Sequence, residues 1–169
     1  MEPFQPAEPK FVPIPRDFHS LENGGLFEKC LKCEIDLLHS EQPYLIERVF
    51  VQQEPIVEYA MCEACVLKSQ GELSVESRQA VTSYMLANLD VGQRLERLSD
   101  WAESGSDDAS ELMDRCLFSG TLAEDSREKQ IAAWCLGDRM RVDHVFPLMI
   151  SGIAIEKLNS VLSEQTRGW

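Results

Sequence analysis

Two Cys-x-x-Cys pairs constrain this chain more than any other feature of its sequence. The first pair is Cys30 and Cys33, the second is Cys62 and Cys65, and 28 residues lie between the pairs. A short Cys-x-x-Cys turn can place two sulfur atoms on one metal ion, and four thiolates surround Zn²⁺ tetrahedrally. The pattern therefore predicts one zinc ion per chain, bound by these four cysteines.

The gap between the pairs is longer than the roughly 15–20 residues of the simplest four-cysteine pattern. A loop from Glu34 to Pro43 accounts for the excess. Two other interpretations remain: the pairs are unrelated buried cysteines, or one of them is a dithiol redox centre. A redox pair normally occurs singly on a scaffold of alternating strands and helices, which this sequence does not indicate. His39 lies in the loop and is interpreted as solvated rather than as a ligand.

Two predicted strands lie between the cysteine pairs. Tyr44 to Gln52 and Ile56 to Met61 are rich in aromatic and β-branched residues, and Glu54-Pro55 interrupts them, which indicates a β-hairpin. Val66 to Lys68 can continue from the second pair as a helical turn. A first pair, a hairpin and a second pair at the start of a helix resemble the treble-clef class of zinc finger, over about residues 26–70. A zinc ribbon, in which a second knuckle carries the second pair, is the alternative.

The four-cysteine set also predicts what the metal does. A catalytic zinc site keeps an open position by using three protein ligands and a water molecule, whereas four cysteines close the site. The zinc is therefore expected to stabilise a small fold, because its binding free energy is largely folding free energy. A helix N-terminus at the second pair would help to stabilise the thiolates. No catalytic residue and no organic cofactor is predicted.

Outside the zinc module the patterns predict an α+β protein. A proline-rich extended arm occupies residues 1–25, the zinc module residues 26–72, a helical connector residues 73–111, and a C-terminal β-hairpin with a helix residues 112–169. The apolar residues of the arm either lie along the body of this protein or a neighbour, or belong to an unstructured terminus. These apolar residues are Phe4, Phe11, Val12, Ile14 and Phe18.

Apolar residues at helical spacing define the connector. Ser74 is a candidate N-cap for a first helix, and Leu98 and Trp101 belong to a second one. In the C-terminal region, strands are predicted on both sides of a tight turn at Gly137-Asp138, and a final helix is predicted from Leu148 onward. The two predicted strands are Lys129 to Leu136 and Arg139 to Val145.

A short sequence recurs at the start of each half. Leu26 to Leu31 and Leu112 to Leu117 share the order apolar, apolar, acidic, basic, Cys, Leu, and each precedes a loop, a predicted hairpin and a predicted helix. The chain is interpreted either as one module used twice or as containing a chance match. In a second copy, Ser119 would stand in the place of Cys33, so this copy would lack the metal. The remaining cysteines, interpreted as small buried residues, are Cys116 and Cys135.

The charge of the chain bears on its partners. The formal net charge is −13, and between Cys30 and Cys65 seven acidic residues outnumber two basic ones. A nucleic-acid surface needs clustered Lys and Arg to replace the counterions around phosphate, so nucleic acid is not an expected partner. We expect a zinc-stabilised protein–protein interaction module that presents an acidic surface to a protein partner or to a second copy of itself. The alternatives are an enzyme with an active site between the two halves and a nucleic-acid-binding zinc ribbon.

The sequence also predicts a compartment. The first residues have neither the basic nor the apolar region of a secretory signal, and the longest uncharged apolar run, Val145 to Ile155, is too short to cross a bilayer as a helix. Paired Cys-x-x-Cys motifs hold metal in a reducing compartment rather than form disulfides. We therefore expect a soluble cytoplasmic protein with no membrane partner.

Overall fold

The structure, a computed structural model, describes residues 8–162. Within this range six β-strands form one antiparallel sheet, and four α-helices complete a mixed α and β fold. In chain order the elements are β1 (Lys10–Pro13), β2 (Tyr44–Val51), β3 (Glu54–Cys62), α1 (Glu63–Gly71), α2 (Val75–Asn88), α3 (Val91–Ser104), β4 (Glu128–Leu136), β5 (Arg139–Val142), β6 (Leu148–Ser151) and α4 (Gly152–Val161). No helix of the described range is long and apolar enough to span a lipid bilayer.

The two halves of the chain share this sheet. Strand β2 pairs with β3 on one side and with β4 on the other, so the central pair joins the first half to the second. Strand β4 then pairs with β6 along its first part and with β5 at its end, and β1 pairs with β5. The register places Tyr44 opposite Cys135 and Glu47 opposite Ala132. Strand β3 is consequently an outer edge of the sheet.

Alternate residues of β2 point into the core, as a strand requires. Tyr44 and Ile46 are almost fully buried, and the Tyr44 hydroxyl donates a hydrogen bond to the Gly137 carbonyl oxygen at 2.6 Å. Cys135 of β4 is buried in the same core, which confirms its interpretation as a small buried residue. Burial raises the pKa of the Cys135 thiol well above its usual range, so this thiol remains protonated.

The described part of the N-terminal arm packs on the sheet. Strand β1 extends β5, and Phe18 is fully buried. The Arg48 guanidinium forms an ion pair with Glu58 and donates hydrogen bonds to the carbonyl oxygens of Asp17 and His19. Of the two interpretations of the arm, the structure supports for this part the one in which the arm lies along the body, whereas Phe4 lies outside the described residues.

The connector helices begin at side-chain caps. The Ser74 hydroxyl accepts a hydrogen bond from the Ser77 backbone N–H, which confirms the predicted N-cap of α2. The Asp90 carboxylate accepts one from the Gln93 backbone N–H at the start of α3. Tyr84 of α2 makes an edge-to-face contact with Phe118, so the connector packs against the second half of the chain.

The prediction of a helix from Leu148 is wrong for its first four residues. Leu148–Ser151 forms β6, which pairs with the first part of β4, and the helix begins at Gly152. A short continuous apolar run fits a buried strand and a buried helix equally well, and only the free flank of β4 decides between them. Gly152 also allows a close approach, because a Cβ there would lie 2.8 Å from the Glu128 Cβ. The predicted strand beginning at Arg139 also ends earlier, at Val142.

Glu47 is a half-buried carboxyl group near the middle of the central strand pair. Gln130 Nε2 donates a hydrogen bond to Glu47 Oε2 at 2.9 Å, and the Tyr59 hydroxyl donates a second one to the same oxygen. Burial raises the pKa of Glu47, and the two hydrogen bonds offset this rise only in part. The ionised form of Glu47 therefore costs more free energy in the folded chain than in the unfolded chain.

This raised pKa predicts a pH-dependent effect of Glu47→Gln. The stability contributed by the neutral carboxyl group is present below its unfolded pKa of about 4.3 and is lost as pH rises through the higher folded pKa. The free energy of unfolding of Glu47→Gln should therefore rise relative to that of the wild type across this window. Urea unfolding of both proteins at a series of pH values measures the difference. The contribution of the cysteine site to the free energy of unfolding is the same in both proteins and cancels in this difference. A difference that does not change with pH would contradict the prediction.

Candidate metal centre

The first cysteine pair lies in a tight backbone knuckle. The Cys30 N–H donates to the Ile35 carbonyl oxygen at 3.1 Å, and the Glu34 N–H donates to the Cys30 carbonyl oxygen at 3.0 Å. Glu34 has a φ of 62°, which lets the chain reverse directly after Cys33. The Leu31 N–H donates to the Ala60 carbonyl oxygen at 2.9 Å, so the knuckle is fixed to the outer edge of β3.

The second pair begins a helix. Cys62 is the last residue of β3 and the N-cap of α1, and Cys65 lies in the first turn of that helix. The predicted helical turn after Cys65 is therefore present, as part of Glu63–Gly71. Since the knuckle contacts β3 two residues before Cys62, the strand brings the second pair next to the first.

The four predicted ligands meet at one point. The Sγ atoms of Cys30, Cys33, Cys62 and Cys65 all lie within 4.8 Å of one another, and the Cys33 and Cys62 sulfur atoms are 3.7 Å apart. A tetrahedral ion with Zn–S bonds of about 2.3 Å requires sulfur atoms about 3.8 Å apart. The arrangement is thus compatible with a four-thiolate zinc site.

Backbone N–H groups point at Cys30. Its sulfur atom accepts hydrogen bonds from the N–H groups of Lys32 and Cys62, each at 3.4 Å. Burial raises the pKa of Cys30. The backbone N–H groups of Cys33, Cys62 and Lys32 lower it by more than burial raises it, so the pKa falls to about 6. The hydrogen bond to Cys62 and burial raise the pKa of Cys65 to about 12. Metal binding would therefore release protons, chiefly from the less acidic thiols of the cluster.

The other potential ligands stay outside the cluster. His39 is exposed, and its Nδ1 atom lies 2.9 Å from Asp36 Oδ2, which agrees with its interpretation as a solvated residue. Among residues 8–162 the four cysteines are the one group of three or more His, Cys, Asp or Glu side chains placed to hold an ion. Four sulfur ligands leave no open position for water, so the arrangement suits a structural metal rather than a Lewis acid.

Comparisons with family models, curated proteins and solved structures found no match to this chain. The function proposed for the chain therefore rests on its own residues and on the geometry of the cysteine cluster.

The second half of the chain repeats the backbone pattern of the knuckle. The Cys116 N–H donates to the Thr121 carbonyl oxygen at 2.8 Å, as that of Cys30 does to Ile35. The Gly120 N–H donates to the Cys116 carbonyl oxygen at 3.0 Å, and Gly120 has a φ of 73°. The Leu117 N–H donates to the Met149 carbonyl oxygen at 2.9 Å, as that of Leu31 does to Ala60. Three matching bonds thus place Cys116 where Cys30 lies in the first half.

The same correspondence extends to the ligand positions. Ser151 is the N-cap of α4, as Cys62 is of α1, and its backbone N–H donates to the Cys116 sulfur at 3.3 Å. The Ser119 and Ser151 hydroxyl oxygens are 3.4 Å apart, in the places of the Cys33 and Cys62 sulfurs. Ala154 follows Ser151 by three residues, as Cys65 follows Cys62.

The sequence pattern does not assign Ser151 to this set. The two predicted hairpins end at Met61 and Val145, whereas the backbone hydrogen bonds place Met149, in the segment predicted as a helix, opposite Ala60. The usable signal is the match of residues 60–62 with residues 149–151, with small Ala154 in the position of Cys65. A helix predicted to start at Leu148 hides this signal.

Proposed function

We propose that this protein is a zinc-stabilised protein–protein interaction module with an acidic surface. The observation that carries the metal is the closed set of four sulfur atoms, since tetrahedral thiolate sets favour Zn²⁺ over the oxygen-preferring cations. The position of Cys62 and Cys65 at the start of α1 favours the treble-clef arrangement over a zinc ribbon.

We also propose that residues 112–162 are a metal-free copy of the zinc module. The matched hydrogen bonds of Cys30 and Cys116 support this repeat, and so does the register of the sheet. Tyr44 pairs with Cys62 between β2 and β3, and Lys129 pairs with Ser151 between β4 and β6, so Tyr44 corresponds to Lys129. The two copies then face each other through the β2–β4 pair, around a local two-fold axis.

The acidic surface is favoured by which charges are exposed. Arg48 is buried and paired with Glu58, so Lys32 is the one exposed basic residue between Cys30 and Cys65. The exposed acidic residues of the same stretch are Glu34, Asp36, Glu41, Glu54 and Glu63. These exposed carboxylates would repel phosphate backbones and attract a basic protein segment.

Charge reversal on this face tests the proposal. We expect Glu34→Lys combined with Glu41→Lys to weaken binding to a library of synthetic basic peptides about ten-fold, from two lost charge attractions. The matched control is Glu96→Lys combined with Glu103→Lys on α3, which changes the net charge equally and should have a smaller effect. Equal weakening by both pairs, or salt-sensitive retention of the wild type on duplex DNA, would contradict the proposed surface.

A further inference from the structure

An open groove of about 450 Å³ lies beside the outer edge of β3. The residues in and directly before the knuckle that line one side of it are Phe27, Glu28, Lys29 and Leu31, and Tyr59 and Ala60 of β3 line another. Leu31 is 60% exposed, so its side chain adds apolar surface to the groove. The groove thus combines apolar surface with an unpaired strand edge.

The corresponding place in the second half is filled by α3. Its residues Gln93, Arg94 and Arg97 lie over Leu117 and Met149, which correspond to Leu31 and Ala60. The space left between α3 and this surface is only about 20 Å³, roughly enough for one water molecule. In the second half, α3 therefore covers the surface at Leu117 and Met149. The equivalent surface of the first half, at Leu31 and Ala60, is open.

Two arginines of α3 make the polar contacts. Arg94 is buried and donates to the carbonyl oxygens of Leu112 at 3.0 Å and Pro147 at 2.8 Å, with a longer bond of 3.4 Å to that of Val145. Arg97 donates to the Glu111 carbonyl oxygen at 2.8 Å and forms an ion pair with Asp114. The two arginines are at positions i and i+3, so they project from one face of the helix.

The first half offers equivalent acceptors in the groove. Glu28 corresponds to Asp114 and is exposed, and Glu58 corresponds to Pro147. The Ala60 carbonyl oxygen accepts from the knuckle, so the Glu58 carbonyl also points outward, because alternate residues of an edge strand face the same way. Among the described residues the Glu58 carbonyl oxygen has no hydrogen-bond donor, whereas that of Leu26, equivalent to Leu112, accepts a long bond of 3.4 Å from Asn23.

We infer that this groove is the docking site for an amphipathic helix of a partner protein that carries two arginines three residues apart. One arginine would donate to the outward carbonyl oxygen of Glu58, and the other would pair with the Glu28 carboxylate. The aliphatic parts of the two arginines would pack on Leu31, as Arg94 and Arg97 line the same space as Leu117 in the second half. The inference deepens the proposed interaction function and rests on it and on the proposed repeat.

A peptide copied from α3 tests the inference. The probe is a helix-stabilised synthetic peptide of residues 90–104, titrated into the full-length, zinc-loaded, ¹⁵N-labelled chain. Saturable binding is expected, with amide signals shifting at Phe27–Leu31 and at Tyr59 and Ala60. A peptide in which both arginines are replaced by glutamine should bind at least about ten-fold more weakly, because charge-assisted hydrogen bonds are the stronger ones. The chain variant Glu28→Arg should weaken binding of the original peptide to the same degree.

The control variant is Glu103→Arg, an equal charge change at an exposed residue outside the groove. Three results would overturn the inference: no saturable binding, shifts confined to residues around Leu117, or equal weakening by Glu28→Arg and Glu103→Arg. If Glu34→Lys with Glu41→Lys still weakens binding of the basic peptides, any of these results would contradict the groove alone and not the acidic surface. If that double variant has no effect while the α3 peptide still binds in the groove, the acidic surface is contradicted and the docking site is not.

Discussion

Removal of the metal should unfold the first half of this protein. The four sulfur atoms lie within 4.8 Å of one another, and Cys30 and Cys62 are almost fully buried. Without the metal, the four thiol groups therefore remain crowded together, two of them in the core. Binding of a structural zinc ion contributes about 10–16 kcal/mol in small zinc modules at neutral pH, and this energy is lost on chelation. Because β2 and β3 are two of the six strands of the sheet, we expect loss of near-ultraviolet circular dichroism on adding a chelator.

Cys62→Ser should reproduce most of this effect without a chelator. Cys62 supplies a ligand, so its replacement should lower the free energy of unfolding by at least about 3 kcal/mol and reduce the bound zinc below one ion per chain. Metal analysis and thermal unfolding measure both quantities. The control is Cys116→Ser, also a buried cysteine, which should leave the zinc content unchanged. A chain that remained fully folded after a chelator had removed the metal would contradict the structural role of the metal.

The four-cysteine cluster was readable from the sequence because its chemistry is local. Each Cys-x-x-Cys pair fixes two ligands within one turn, and the hairpin between them follows from its own aromatic and β-branched residues. The N-cap of α2 at Ser74 was readable for the same reason, since one hydroxyl satisfies one backbone N–H of the first turn. The Cys-x-x-Cys pairs, the hairpin and the Ser74 N-cap could therefore be predicted, because each depends on residues close together in the sequence.

Features that depend on distant pairing were not. Strand β6 is a strand because β4 has a free flank for Leu148–Ser151, and nothing within those four residues encodes that flank. Arg94 lies in the second connector helix, yet it is buried against backbone carbonyl oxygens 18 to 53 residues away in the chain, which its neighbours in the sequence do not indicate. Burial lowers the pKa of Arg94 only to about 10, so this guanidinium stays charged in the interior, where it donates to backbone carbonyl oxygens.

A second zinc site should appear when three residues of the second half are replaced by cysteine. The variant combines Ser119→Cys, Ser151→Cys and Ala154→Cys, which with Cys116 recreates the ligand positions of the first half. The backbone there already has the required form, because the N–H groups of Ser119 and Ser151 donate to the Cys116 sulfur at 3.5 and 3.3 Å. We expect the bound zinc to rise from one to two ions per chain, and the melting temperature to rise with it.

Geometry, rather than added thiols, must account for the second ion. A matched variant carries the first two replacements with Ile153→Cys in place of Ala154→Cys. Ala154 is 1% exposed in the first turn of α4, whereas Ile153 is 61% exposed, so only the former position can direct a sulfur toward Cys116. Both variants have the same number of cysteines, and cobalt substitution reports tetrahedral thiolate coordination directly. One ion in each would refute the repeat, whereas a second ion in the Ala154→Cys variant alone is the result that two copies of one module require.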